Sequence, residues 1–294
     1  MIKQTLVFSN PASLSLKDRQ LVIKREGEDV VTRPIEDIGF VVIENQSVFV
    51  SIPLFNALAA NNVAVILCDS KMMPSSVITP LVGNSTQGES YRNQVEVSGP
   101  TRKNLWKQII ESKIRNQALL LDLLGKDGDE LKPYWKNVKS GDSDNREGAA
   151  SRIYWRLLFG DEFFRERGAE EAPNCLLNYG YAVLRAAAAR ALVGSGLLPA
   201  FGLFHRNRYN PFPLADDVME PYRPFVDMLA YELYQDGVKS LTPAVKQRLL
   251  SLLTVDVQMG DVKKPLSIAL SSTTASLVRV FSGEDKQIQC PVLI

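Results

Sequence analysis

The sequence contains one histidine, His205, so any imidazole chemistry runs through that residue. Three acids stand in segments that could bring them to it. Glu147 opens the helical-looking run REGAASRIYWRLLFG, and Asp217 and Glu220 follow His205 in GLFHRNRYNPFPLADDVMEPYRP. Asp217 and Glu220 are three residues apart and share a face if that stretch is helical. Pro221 suits an early helical turn, where a missing N–H costs little. If the segments meet, an imidazole and carboxylates converge on one cation. Carboxylate oxygens suit Mg²⁺ or Mn²⁺, and one imidazole nitrogen tilts the choice towards Mn²⁺. Such a centre can polarise a phosphodiester and stabilise charge during in-line displacement. Taken singly, each residue has a plainer explanation. Glu147, Asp217 and Glu220 would complement helix dipoles at helix starts, and His205 would be a hydrogen-bonded core residue. The metal reading rests on convergence.

The basic residues have their own pattern. No lysine occurs between Lys139 and Lys239, but ten arginines do, several beside the candidate ligands. Arg146 and Arg152 flank Glu147, and Arg206 and Arg208 follow His205. Arginine keeps its charge and grips phosphate with a planar fork. With Tyr154, Trp155, Asn207, Tyr209 and Asn210 nearby, the neighbourhood suits a nucleic-acid backbone. Arg165 and Arg167 are better explained as partners of Asp161, Glu162, Glu166, Glu170 and Glu171.

Elements must position these groups. Residues 1–85 form a β-rich part, with TLVFSN, LSLKDRQLVIKR, DVVTRPI, IGFVVIEN and VAVILCDS separated by turn residues. One helix-like stretch, IPLFNALAA, precedes the last of these. Residues 86–100 are polar and weakly periodic, which predicts a linker. From residue 101 the period becomes helical: Leu105, Ile109, Ile110, Ile114, Ala118 and Leu121 mark one buried face. Ser143, Asp144 and Asn145 can cap the helix bearing Glu147. Helical patterns follow at 174–195, 216–235 and 243–254, and periodicity weakens in the last 40 residues. The expected fold class is α+β, an N-terminal β domain followed by a larger all-α domain over 101–294.

The 294 residues carry 34 basic and 33 acidic side chains, for a net charge of +1. With 45% hydrophobic residues the chain can fill a core. Three scattered cysteines with no C-x-x-C pair argue against a disulfide framework or zinc ribbon. One histidine excludes HExxH proteases, and no GxxxxGK[ST] loop is present. Arg185 and Arg190 interrupt the most apolar stretch, residues 176–204, which argues for a buried helix and no membrane. A soluble, cytoplasmic protein is expected.

The series DNREGAASRIYWRLLFG, LNYGYAVLRAAAAR and GLFHRNRYNPFPLADDVMEPYRP, in that order, closely resembles the CRISPR-associated spacer-acquisition integrases, the proteins numbered first in the Cas series. LSLKDRQLVIKREGED, PIEDIGFVVIEN and VAVILCDSKMMP resemble that family's β domain, so the likeness spans roughly residues 3–235. The H-R-N-x-x-N-x-F-x-L run looks most like the type II branch. The resemblance implies an N-terminal β-sandwich-like dimerisation domain and an α-helical catalytic domain. It implies a homodimer that joins a dimer of a small second CRISPR-associated protein in a heterohexamer, with the type II effector nuclease as a further partner.

The implied chemistry is metal-dependent DNA cleavage, and integration in which a DNA 3′-hydroxyl attacks a phosphodiester at the repeat boundary. The substrates implied are double-stranded DNA, both protospacer and leader–repeat. The family's ligands fall on Glu147, His205 and Glu220, with Asp217 as a supporting acid. Arg146, Arg152, Tyr154, Arg206, Asn207 and Arg208 occupy the strand-contacting neighbourhood. Ser151 stands where alanine is expected, a small change. The alternative is a non-catalytic DNA-binding scaffold within the same adaptation complex.

Overall fold

The computed structural model describes residues 3–205 and 207–294. It divides into two compact units, Met1–Gly83 and Asn84–Ile294. Together they form a mixed α+β architecture, β-sheets first and a mostly helical part after.

The first unit contains β1 (Gln4–Phe8), β2 (Ala12–Lys17), β3 (Gln20–Lys24), β4 (Val31–Pro34), β5 (Ile38–Ile43), β6 (Val48–Val50), α1 (Ile52–Ala60), β7 (Ala64–Cys68) and β8 (Pro74–Ile78). They make two four-stranded sheets, ordered β1-β5-β7-β8 and β4-β3-β2-β6. In the first, β5 pairs parallel with both β1 and β7. A strand flanked on both sides and covered on both faces needs no polar side, and all six residues of β5 are buried. The stretch LSLKDRQLVIKR is a hairpin, β2 against β3, turned by Asp18 and Arg19 with φ of 49° and 58°. Left-handed backbone at both central residues matches the twist of paired strands. Leu14, Leu21, Ile23, Ile38, Val41, Leu54, Leu58 and Val65 join the sheets and α1 in one core.

The second unit contains α2 (Gln87–Glu96), α3 (Gly99–Leu123), α4 (Lys132–Trp135), α5 (Arg146–Phe159), α6 (Asn174–Gly194), α7 (Pro213–Met219), α8 (Arg223–Gln235), α9 (Pro243–Leu250), β9 (Asp256–Met259), β10 (Val262–Pro265) and α10 (Leu266–Phe281). Helix α3 is the axis of the unit. Ser98 caps it by accepting from the Thr101 N–H at 3.3 Å. It runs against α4, α5, α7, α8 and the 3₁₀ turn Glu220–Tyr222. Helix α6 is buried along most of its length and packs on α7, α8, α9 and α10. At Gly180 a Cβ would lie 2.4 Å from Val226 Cγ1 of α8, so glycine permits that close crossing. Among the described residues no helix is long and apolar enough to cross a membrane.

The structure corrects two expectations. The polar stretch 86–100 is not a linker: it holds α2 and the start of α3, and the helical unit begins at Asn84. The buried positions of α2 are Ser90 and Gln94, so polar residues do the packing and hide the helical period. Gln94 hydrogen-bonds Leu198 N and the Leu198 and Phe201 carbonyls, and Asn84 donates to the Gly194 carbonyl. The region 101–294 is also not all helix. It includes the antiparallel β9–β10 pair and a bridge between Gln258 and Val292.

Candidate metal and phosphodiester site

Helix α5 presents Glu147 from its first turn. Two side chains fix that turn. Asn145, with φ of 53°, accepts from the Gly148 N–H, and Asp142 accepts from the N–H groups of Arg146 and Glu147 at 2.7 and 3.1 Å. Both satisfy donors that a helix start leaves open. Asn145 was among the three expected caps; Asp142 was not.

His205 sits in a loop wrapped around one carboxylate. Asp217, fully buried, accepts from the N–H groups of Leu203, Phe204 and His205 at 2.5, 3.2 and 3.2 Å, and holds His205 Nδ1 at 2.7 Å. That hydrogen bond raises the His205 pKa against the opposing effect of burial. It also turns Nε2 away from Asp217, the arrangement in which a carboxylate orients an imidazole for ligation. Trp106 of α3 meets the His205 ring edge-on at 5.6 Å and stacks on Phe204 at 4.3 Å. Gly202 lets the loop close. A Cβ there would lie 2.6 Å from the His205 carbonyl oxygen and 2.9 Å from Asp217 Oδ2. Gly202→Ala is therefore expected to cost about 1–3 kcal/mol of stability. DNA cutting should fall with it. A thermal melt and a nicking assay on the same preparation check both, and a wild-type result in each would count against this packing.

Glu220 lies where α7 passes into α8 through the 3₁₀ turn Glu220–Tyr222. It is buried, and two cations face it. Lys113 Nζ of α3 is 2.7 Å from Oε2, and Arg223 Nε is 2.9 Å from Oε1. The same Lys113 Nζ is 2.5 Å from Glu147 Oε1. Burial alone would raise the Glu220 pKa; Arg223, Lys113 and His205 outweigh it and hold the pKa at about 2. Burial works against the Lys113 charge as well, but Glu220 and Glu147 raise its pKa above the usual lysine value. Both partners stay ionised at neutral pH.

Glu147 and Glu220 thus meet across one ammonium group, and His205 is set by Asp217. Among the described residues no three His, Cys, Asp or Glu side chains are gathered as a ready-made metal site. Lys113 supplies the positive charge at the carboxylate junction instead. The donor set nevertheless fits a hard divalent cation. It offers carboxylate oxygens and an oriented imidazole, and the buried Glu220 Oε2 contacts Lys113 by distance without an aligned hydrogen bond.

Lys113 is the site residue that sequence reasoning missed. It falls four residues after Ile109, on the buried face of α3, so a charged residue at a core position was its signal. Arg223 was counted among the arginines but not assigned to the site.

The expected DNA-contacting residues separate. Arg152, Asn207 and Arg208 are exposed, and Arg208 lies over the Tyr209 ring at 4.6 Å. Arg146 is half-buried against Asp144 at 2.9 Å. Arg206 lies outside the described residues. Tyr154 does not face a strand: it is fully buried, and its hydroxyl donates to Asp227 at 2.8 Å. Tyr181 donates to the other Asp227 oxygen. Burial pushes the Asp227 pKa up to about 6 against these two hydrogen bonds. Tyr154 belongs to this internal network because its position on α5 faces α8, not solvent.

Residues 5–243 match the protein family described as CRISPR associated protein Cas1. A CRISPR-associated endonuclease Cas1 from Neisseria meningitidis is 40% identical over 100% of this chain and 97% of its own length. The chain belongs to the Cas1 family. Solved structures similar to it include a casposase bound to an integration product, with a TM-score of 0.79 and 20% identity. That match covers 98% of this chain and 92% of the casposase. A Cas6-RT-Cas1–Cas2 complex matches with a TM-score of 0.74 and 18% identity, over 97% of this chain and 35% of that one. At these identities the two structures support the Cas1 fold.

Proposed function

We propose that the chain is a divalent-metal-dependent DNA endonuclease and integrase that inserts short foreign DNA into a CRISPR array. The observation that carries this is the meeting of Glu147 and Glu220 on one cation beside an imidazole oriented by Asp217. Family membership, the endonuclease name of the Neisseria relative and the likeness to an integration-product complex support it.

Glu147, His205 and Glu220 would hold Mg²⁺ or Mn²⁺. When bound, the ion supplies a positive charge that polarises the phosphodiester and steadies the oxyanion formed during displacement. Asp217 fixes the imidazole and loop 203–205. Lys113 and Arg223 keep Glu220 ionised. In integration a DNA 3′-hydroxyl forms the new P–O bond, and the displaced 3′ oxygen leaves as a hydroxyl, so no nucleotide triphosphate is consumed. Arg146, Arg152, Asn207 and Arg208 line the approach to the strand. The partners are a protospacer duplex, the leader–repeat and the small second CRISPR-associated protein, for which the Cas1–Cas2 complex among its structural likenesses is the support. Homodimerisation through the β-rich unit, a heterohexamer with that small protein, contact with a type II effector nuclease and a cytoplasmic setting complete the reading.

The test is strand transfer of a short duplex into a supercoiled plasmid bearing a leader and repeat, with the small partner added. Joining should require Mg²⁺ or Mn²⁺, stop with EDTA, and weaken steeply as salt rises, because phosphate contacts release counterions. DNA binding without metal-dependent cutting or joining would leave only a scaffold.

A further inference from the structure

The segment 287–293 lies beyond residues 5–243, which the family model matches, and it is tied to the turn that carries Glu220. Two buried side chains make the ties, and each holds both partners at once. Asn116 of α3 donates to the Pro221 carbonyl at 2.8 Å and to the Pro291 carbonyl at 3.0 Å. Its Oδ1 accepts from the Leu293 N–H at 3.2 Å. Thr273 of α10 shares a 2.7 Å hydrogen bond with the Tyr222 hydroxyl and donates to the Gln289 carbonyl at 2.7 Å. Pro221 and Tyr222 are the two residues after Glu220. Asn116 is 1% exposed, and Thr273 and Tyr222 are 0% exposed, so water cannot replace these bonds.

The outer end of the segment is fastened as well. Gln108 donates to the Lys286 carbonyl and accepts from Ile288 N–H, and Gln289 N–H donates to Ser276. On the other side the segment pairs with Gln258.

We propose that residues 287–293 form a strap that positions Glu220, with Asn116 and Thr273 as the positioning residues through which it acts. The inference rests on the reading of Glu220 as a metal ligand. A short 3₁₀ turn with a proline at its second residue has few hydrogen bonds of its own to fix a carboxylate. Asn116 and Thr273 fix the residues that follow it, and the strap fixes the rotamers of Asn116 and Thr273. Groups that orient a metal ligand commonly change metal affinity about 10–100-fold when removed.

The experiment uses the full chain with Asn116→Ala, Thr273→Val and Glu220→Ala. Mn²⁺ binding is measured by titration calorimetry, beside thermal melting and plasmid nicking over a Mn²⁺ series. Asn116→Ala should weaken Mn²⁺ binding about tenfold, and Thr273→Val by a smaller factor. Both should melt below wild type, because buried groups lose their partners, yet stay folded at the assay temperature, and nicking should return at saturating Mn²⁺. A merely structural role would lower the melting temperature and leave the Mn²⁺ affinity of the folded protein unchanged. Folded variants that bind Mn²⁺ within about twofold of wild type would overturn the proposal, since that lies below the usual range for an orienting group. Collapse of both variants would overturn it too, because the pair would then hold the whole helical unit and not one turn. These outcomes leave Glu220 in the site. If Glu220→Ala itself binds Mn²⁺ and nicks DNA as wild type does, the metal-ligand reading falls and takes the strap's role with it.

Discussion

Glu220→Ala should remove metal-dependent DNA cutting and destabilise the helical unit in the same variant, whereas Glu147→Ala should remove cutting with a much smaller loss of stability. Both lose one proposed ligand, and even orienting groups around metal ligands commonly matter about 10–100-fold, so each loss should exceed about a hundredfold. The stabilities differ because the surroundings differ. Glu220 is buried between Lys113 and Arg223, and its removal leaves two buried cations with less compensation. Breaking a buried pair in that way typically costs about 3–5 kcal/mol. The Glu147 side chain is 32% exposed, so water can take over part of its role.

Acid should reproduce part of the Glu220 effect. Its pKa of about 2 lies below the ordinary glutamate value. The stabilisation is therefore present above the unfolded pKa, roughly 4.3, and is lost as pH falls towards 2. Thermal melts across that range, with EDTA present, should show Glu220→Ala converging on wild type at the acid end. Equal melting temperatures for Glu220→Ala and Glu147→Ala at neutral pH would contradict this account.

Lys113→Met should be the next most damaging change. Without the ammonium, Glu147 and Glu220 would face each other with Arg223 and the more weakly acting His205 left to offset them among the described residues. Two carboxylates left without their shared buried partner should lower stability by about 3–5 kcal/mol in metal-free protein. In a unit of this size that corresponds to roughly a 10 °C fall in melting temperature. Added Mn²⁺ should recover much of the loss, because it supplies positive charge to the same carboxylates. The wild type, whose junction already has a cation, should gain less from Mn²⁺. A Lys113→Met variant that melts like wild type in EDTA would remove Lys113 from the electrostatics of the site.

Why some of this was readable and some was not follows from what each residue does. His205 could be singled out because it is the one imidazole, and Glu147 because a helix start could be recognised from its cap. Asp217 stood three residues before Glu220, and in the structure it is the anion around which the His205 loop is built. Lys113, Asn116 and Gln117 were passed over because a helix is recognised from its apolar stripe, and these are polar residues placed within the buried face. Helix α2 reads as a linker in the sequence for the same reason: Ser90 and Gln94 are its buried side. Tyr154 reads as a strand contact because an aromatic near arginines has the composition of a strand-binding surface. Only the packing of α5 on its neighbours shows that its hydroxyl ends on Asp227. The two-sheet β unit was more legible, since β5 is a continuous apolar run and the turn residues mark its neighbours.

Helix α3 also constrains how the sequence can change. Trp106 braces His205, Gln108 holds the strap, Lys113 joins the two acids and Asn116 holds the turn after Glu220, all from within eleven consecutive positions. An α-helix advances about 100° per residue, with 3.6 residues to the turn. One residue inserted between Gln108 and Lys113 would keep the helix and its composition, yet rotate Lys113 and Asn116 by more than a quarter-turn relative to Trp106. Insertions in the exposed turn around Gly27–Asp29 carry no such phase. Length changes in a lineage of such chains should therefore collect in the loops and be absent from this stretch, even where individual side chains vary.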